Sequence, residues 1–122
     1  VILSEGCASP YAPKTLRAPM GAAVRAPVIE TGPLPPALAR LRQLGIRCLA
    51  AALEHSEPLG PVPAAHPGGV CVVVGSEGQG LEGDTIAACD AAVRIPMTDR
   101  VESLNAGIAG SILLWHFREV EV

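Results

Sequence analysis

Residues 70–74, Val-Cys-Val-Val-Val, run straight into Gly75-Ser76-Glu77-Gly78-Gln79-Gly80. This is the clearest strand in the sequence, and it ends in a tight glycine turn. In α/β sheets ligands are held at the carboxyl ends of strands, and glycines there allow positive φ and close approach of backbone N–H groups. The spacing is G-x-x-G-x-G, which is neither the G-x-G-x-x-G dinucleotide fingerprint nor a P-loop with its Gly-Lys-Ser/Thr. Nicotinamide and nucleoside-triphosphate readings are therefore weak. By itself the turn leaves a plain connection and a ligand site equally open. Glu77 favours the site, because a carboxylate inside a glycine turn has little structural use unless it caps backbone donors or orients a functional neighbour.

Around that strand the chain alternates. Val1-Ile2-Leu3 reads as a short buried strand, residues 14–24 as a possible helix interrupted at Pro19, and Pro27-Val28-Ile29 as a second strand. Pro35 and Pro36 suit a first helical turn, which needs no N–H from them, and Leu34, Leu38, Leu41 and Leu44 recur at helical spacing up to a C′ glycine, Gly45. Residues 46–53 are short and apolar, as central parallel strands are. Residues 54–69 are proline-rich and read as a loop. A short helix over 82–89, a last strand over 92–95 stopped by Pro96, and a final helix from a Ser103 cap to about residue 119 complete the pattern. The class this predicts is α/β, with a mostly parallel sheet flanked by helices.

At 122 residues the chain fits one domain. No apolar stretch reaches the roughly 18 residues of a membrane span, and no signal-peptide pattern is present. A soluble, cytoplasmic protein is expected. Cys7, Cys48, Cys71 and Cys89 are scattered with no C-x-x-C pair, so they read as small buried residues rather than as a metal site. Net charge is −3, with eight arginines and one lysine, Lys14. Phosphate contacts dominate nucleic-acid affinity, so an RNA-binding domain is normally basic. Three possibilities stay open: RNA gripped by other parts of the protein, a local arginine cluster, or no RNA. The opening on Val1-Ile2-Leu3 suggests a domain that is N-terminally incomplete.

The segment Ile95-Pro96-Met97-Thr98-Asp99-Arg100-Val101-Glu102-Ser103-Leu104-Asn105 joins the last strand to the last helix. Ser103 taken alone is a helix cap, while Asn105, a poor helix former just inside the helix, is harder to explain structurally. Interior Gly107 and Gly110 each cost about 1 kcal/mol relative to alanine, which suggests close approach of another backbone or a ligand. Leu104, Ile108, Ile112 and Trp115 form one apolar stripe, and Ala109, Leu113 and His116 a neighbouring one. A helix apolar over so wide an arc has two surfaces to cover. One would face the sheet and the other a partner subunit. His116 reads as an interface or partly exposed histidine rather than a ligand.

These residues resemble a known family. VVVGSEGQGL at 72–81 and VRIPMTDRVESLNAGIA at 93–109 are similar to the second and third motifs of the SpoU/TrmH branch of the SPOUT methyltransferases. Their order and separation agree with that family, as does the intervening Cys89-Asp90. The stretch PKTLRAPMG at 13–21 looks like the family's arginine-alanine-serine-x-glycine segment, with Pro19 in the serine's place, and Ala106-Gly107 replaces a valine-serine pair.

The resemblance implies a SPOUT α/β fold with a deep C-terminal trefoil knot, an exception to the rule that chains do not thread loops. It implies that S-adenosylmethionine is bound in the knot, chiefly by backbone groups, at Val74, Gly75, Glu77, Gly78, Ile95, Met97, Ser103 and Leu104. Glu77, Ser103 and Asn105 become candidate catalytic residues, Arg17 a candidate RNA contact, and no metal is implied. The expected partners are ribosomal or transfer RNA and a second copy of the chain, joined through the C-terminal helix. The implied reaction is methylation of a ribose 2′-hydroxyl. The family's first motif, an asparagine-x-glycine stretch followed by an activating arginine, has no counterpart in these residues. A module that binds S-adenosylmethionine and dimerises without catalysis is the alternative, and an unrelated doubly wound phosphate binder a more distant one.

Overall fold

The computed structural model describes residues 1–5, 27–75, 80–97 and 106–118. They fall in two compact units, Val1–Ala37 and Leu38–Val122. In the first, strand β1 (Ile2–Leu3) pairs in parallel with β2 (Ile29–Glu30), Ile2 opposite Ile29 and Leu3 opposite Glu30. The second strand begins later than expected, because Pro27 has no N–H and the ladder starts with Ile29 N donating to Val1 O at 2.9 Å. The helix expected over 14–24 lies outside the described residues.

Helix α1 (Leu34–Gln43) carries its prolines in the first turn, where they remove no helical hydrogen bond. It ends as the leucine spacing predicts. Gly45 sits at φ +85°, Gly45 N donates to Arg42 O at 3.0 Å and Ile46 N to Leu41 O at 3.1 Å. This pair of bonds is the Schellman stop, which satisfies the last free carbonyls and requires a left-handed residue at C′. Leu38 is buried, but Leu44, counted with the apolar stripe, lies past the helix end and is exposed.

The second unit is built on a four-stranded, wholly parallel sheet in the order β4-β6-β3-β5. Its strands are β3 (Arg47–Ala51), β4 (Glu57–Pro58), β5 (Val70–Val73) and β6 (Ala91–Arg94), with helices α2 (Gly83–Ala87) and α3 (Ala106–His116). Central β3 buries Cys48, Leu49 and Ala50 completely, which is why it reads as an unbroken apolar run. Strand β4 corrects the expectation of a plain loop over 54–69. It was invisible as a strand because it is two residues long and contains Pro58, which only a sheet edge tolerates.

Alternation along the strands divides the core into two faces. On one, Leu49, Leu59, Val62, Val93 and Leu113 form a buried cluster joined by Ala51, Val70, Val72, Ala91, Ile95 and Phe117. Leu113 thus brings α3 onto the sheet. On the other lie Cys48, Ala50, Cys71 and Val73.

The amino-terminal edge of the sheet is clamped by Asp90. Its Oδ2 accepts a bond from Cys48 N at 2.7 Å and its Oδ1 one from Arg42 Nε at 3.0 Å, while Asp90 N donates to Cys48 O at 2.8 Å. At the same edge Gly68 passes so close to Gly45 that a Cβ on it would lie 1.9 Å from the Gly45 carbonyl oxygen. The expected knot turns on residues 76–79 and 98–105, which lie outside the described residues.

Candidate active site

Two sheet registers place the candidate site. Leu49 of β3 is opposite Val72 on one side and Ala91 on the other, and Ala50 is opposite Val73 and Ala92. Continued along the strands, Val74 stands level with Val93 and Gly75 with Arg94. Residues 74–75 and 95–97 therefore leave the same carboxyl edge, on either side of β3. Two inter-strand spacings separate them, roughly 10 Å. This is the edge at which parallel α/β sheets hold ligands.

The glycine turn is tighter than its spacing alone indicates. A Cβ on Gly75 would lie 2.3 Å from the Gly80 carbonyl carbon, 2.6 Å from the Gly80 oxygen and 2.7 Å from Leu81 N. All three atoms are backbone, so Gly75 is what lets the two ends of the turn touch. Gly80 takes φ +66°, a conformation that glycine adopts without penalty. Across β3, Ile95 packs into the core cluster, Pro96 is exposed and Met97 half-buried. Of the candidate positions, Val74, Gly75, Ile95 and Met97 are thus brought to one edge. Glu77, Gly78, Ser103, Leu104, Asn105 and Arg17 lie outside the described residues.

What the described residues bring to that edge is glycine backbone and apolar side chains, exposed Val74 and half-buried Met97. Such a lining suits a ligand recognised by backbone donors and acceptors and by apolar packing. Among the described residues no group of His, Cys, Asp and Glu is placed to hold a metal. Burial holds the described thiols in their neutral form. Burial, with Cys71, Cys89 and Asp90 nearby, pushes Cys48 up to about 12. Burial also raises Cys71, and burial with Cys71 and Asp90 takes Cys89 to about 11. Neutral thiols are poor nucleophiles and poor metal ligands.

Two side chains near the edge were not read as structural ties in the sequence. Arg94, the last residue of β6, donates from Nη1 to the Ser56 carbonyl. His116 is half-buried, its Nε2 is 2.8 Å from the Val62 carbonyl oxygen, and its ring stands edge-on to Phe117 at 4.7 Å. Neither tie has a sequence signal, because both use carbonyls of a proline-rich segment that shows no periodicity.

Helix α3 has the two surfaces its apolar arc predicts. Leu113 is 1% exposed, whereas Ile108, Ile112, Leu114 and Trp115 are exposed, Trp115 to 66% with Arg118 stacked over its ring at 3.6 Å. Among the described residues, a Cβ added at Gly110 would meet Val74 Cγ2 alone, at an ordinary 3.8 Å. The Ser103 cap lies outside the described residues.

Comparison with known proteins agrees with this arrangement. The chain is 30% identical over 118 residues to the 23S rRNA (guanosine(2553)-2′-O)-methyltransferase RlmP of Bacillus subtilis, covering 97% of this chain and 46% of that protein. It is 36% identical over 95 residues to the 23S rRNA (guanosine-2′-O-)-methyltransferase RlmB of Ralstonia nicotianae, covering 78% of this chain and 37% of that protein. Among solved structures, the AdoMet-bound rRNA methyltransferase of Sinorhizobium meliloti superposes with a TM-score of 0.84 at 27% identity, over 96% of this chain and 44% of that one. The chain therefore spans less than half the length of the curated relatives it matches. The SpoU rRNA methylase family matches residues 1–115, and the chain belongs to it.

Proposed function

We propose that residues 1–122 form the methyltransferase domain of an enzyme that transfers a methyl group from S-adenosylmethionine to a ribose 2′-hydroxyl of ribosomal or transfer RNA. The observation that carries the reading is the meeting of Gly75 and the Ile95–Met97 stretch at one carboxyl edge, in a chain whose family includes AdoMet-bound relatives. Val74, Gly75, Glu77, Gly78, Ile95, Met97, Ser103 and Leu104 would hold S-adenosylmethionine. When bound, it supplies a methyl group on a sulfonium, which needs little activation.

The harder task is the nucleophile. A ribose hydroxyl is far too weakly acidic to ionise at neutral pH, so the protein must align it and help remove its proton. We assign Ser103 and Asn105 to orienting the reacting groups, Glu77 to holding the glycine turn or a substrate-side arginine, and Arg17 to an RNA contact. The chain is acidic overall, so most phosphate contacts belong to other parts of the full-length protein. The exposed face of α3 is the surface on which a second copy would pack, its Ile108, Leu114 and Trp115 leaving water. No helix among the described residues is long and apolar enough to cross a membrane, in keeping with a cytoplasmic enzyme.

The test is transfer of a labelled methyl group from S-adenosylmethionine to ribosomal and transfer RNA by the full-length protein. Alkaline hydrolysis of the product follows, since a 2′-O-methyl group protects the adjacent phosphodiester. Label in an alkali-resistant dinucleotide supports the proposal. Binding of S-adenosylmethionine without transfer supports the non-catalytic module, and label on a base excludes ribose chemistry.

A further inference from the structure

Charge is spread unevenly over this acidic chain. At the amino-terminal edge of the four-stranded sheet lies an open cavity of about 660 Å³, whose walls include Arg42, Gln43, Gly45, Arg47, His66 and Asp90. Its volume falls in the range of small-ligand sites. These residues all lie in the second unit, at the end of α1, the start of β3, the turn before β5 and the entry to β6. The walls offer donors. Arg42 is held from two sides, Nε donating to Asp90 Oδ1 at 3.0 Å and Nη1 to Ala88 O at 3.3 Å, and the rest of its N–H fork is left for a ligand. Arg47 is half-buried, and no carboxylate among the described residues pairs with it. Gly68 N donates to His66 Nδ1 at 3.3 Å, so the ring carries its proton on Nε2 and adds a further donor.

The acceptors at this edge are already engaged. Asp90 Oδ1 is taken by Arg42 and its Oδ2 by Cys48 N at 2.7 Å. The carbonyls at the end of α1 would repel an anion, but they accept from Leu44 N, Gly45 N and Ile46 N. A wall of free donors, two of them arginines, matches a ligand that only accepts and carries negative charge. The planar arginine fork suits phosphate oxygens in particular. We propose that this cavity grips a phosphate of the RNA strand flanking the methylated nucleotide, with Arg42 and Arg47 as its cationic contacts and His66 as a third donor. The reacting ribose itself belongs elsewhere, because β3 separates this cavity from the candidate cofactor edge by roughly 15 Å. A neighbouring phosphate can reach it, since a few nucleotides of one strand cover that distance. Arg42 and Arg47 are thus the local arginine cluster that a net charge of −3 left open. What matters for a polyanion is where cations converge, not whether they outnumber the anions.

The inference rests on the proposed function, so the experiment separates the two. Binding of the full-length protein to ribosomal and transfer RNA transcripts is measured across a salt series, together with methyl transfer to the same RNA and melting curves. Arg47→Glu reverses the charge in the cavity. Arg40→Glu makes the same change in net charge at an exposed residue outside the cavity lining. We expect Arg47→Glu to weaken RNA binding about five- to tenfold and to flatten the salt dependence by about one phosphate contact. Arg47→Lys, which keeps the charge, should stay within about twofold of the wild type. KM for RNA should rise in Arg47→Glu with kcat and S-adenosylmethionine affinity unchanged, as expected of a contact made equally in ground and transition states. Should Arg47→Glu fail to fold, Arg47→Gln removes the charge and should show the same pattern at smaller amplitude. Wild-type-like RNA affinity and salt slope in a folded Arg47→Glu or Arg47→Gln overturns the proposal. So does an equal loss in Arg40→Glu, which would reduce the effect to general repulsion, or a fall in kcat with KM unchanged. Inorganic phosphate titrated alone separates the sources of the anion: if it binds the wild type and not Arg47→Glu, while RNA binding is the same in both, the site takes a small anion and the RNA assignment is wrong. A wild type that neither binds nor methylates RNA overturns the functional reading and the inference with it.

Discussion

Replacing Gly75 with alanine tests the glycine turn at a single atom. The new methyl carbon would lie 2.3 Å from the Gly80 carbonyl carbon, and ordinary contact begins at 3.4 Å, an overlap of 3.4 − 2.3 = 1.1 Å. The obstructing atoms are backbone on both sides, so no rotamer change relieves it and the turn must open. Overpacking of this kind costs typically 1–3 kcal/mol, and an all-backbone clash belongs at the upper end. Alanine restricts the unfolded chain and returns roughly 0.4–1 kcal/mol. The net loss is about 2 kcal/mol, a melting temperature lower by roughly 8 °C in a domain of this size. Gly68→Ala is the informative companion, since its Cβ would fall 1.9 Å from Gly45 O at the opposite edge of the sheet. Both variants should melt early, but only Gly75→Ala should lose S-adenosylmethionine affinity. Gly60→Ala, with nothing among the described residues within 4 Å of the added carbon, serves as the neutral control. Differential scanning calorimetry and S-adenosylmethionine titration measure the two effects. A Gly75→Ala protein that melts and binds like the wild type would show that the turn does not need glycine at this position.

Other outcomes follow from the same structure. Leu113→Ala, which empties a site only 1% exposed, should cost about 2–5 kcal/mol in urea unfolding. Asp90→Ala should cost about 1–3 kcal/mol because it strips the Cys48 N–H of its acceptor. Arg42→Ala, which removes the partly exposed ion pair with Asp90 and an exposed hydrogen bond from Nη1 to Ala88 O, should cost about 0–1 kcal/mol. Cys48 and Cys89 have folded values near 12 and 11, above the 9.0 of a free thiol, so burial favours their neutral forms. Their contribution to stability is complete below pH 9 and is lost as pH rises towards those values, so urea midpoints should fall across that alkaline window. Under the proposed pairing of two copies through the exposed face of α3, Trp115→Glu should lower the sedimenting mass of the full-length protein to that of one copy in analytical ultracentrifugation, with little change in its fold.

Much of the sheet was legible because its strands are short apolar runs punctuated by glycine and proline. Cys48, Leu49 and Ala50 are buried on both faces of the sheet, and that burial leaves an unbroken pattern. The Gly45 stop was legible for the same reason that it works, since few residues other than glycine sit easily at φ +85°. The ties that hold the sheet edges were not. Arg94 to Ser56 and His116 to Val62 join side chains to carbonyls 38 and 54 residues away, and a carbonyl carries no residue identity. Strand β4 escaped because two residues ending in Pro58 have no periodicity to read. The candidate site was found through motif resemblance, and structure adds why Gly75 is glycine: the turn closes on itself where a Cβ would be.

Amide chemical-shift mapping during titration with S-adenosylmethionine shows which edge of the sheet takes the ligand. Gly75, Ile95 and Met97 should shift together on one binding curve, while Cys48 and Asp90 at the far edge of the sheet stay still. Shifts centred on Cys48 and Asp90, or none at Gly75 and Met97 under saturating ligand, would contradict that expectation.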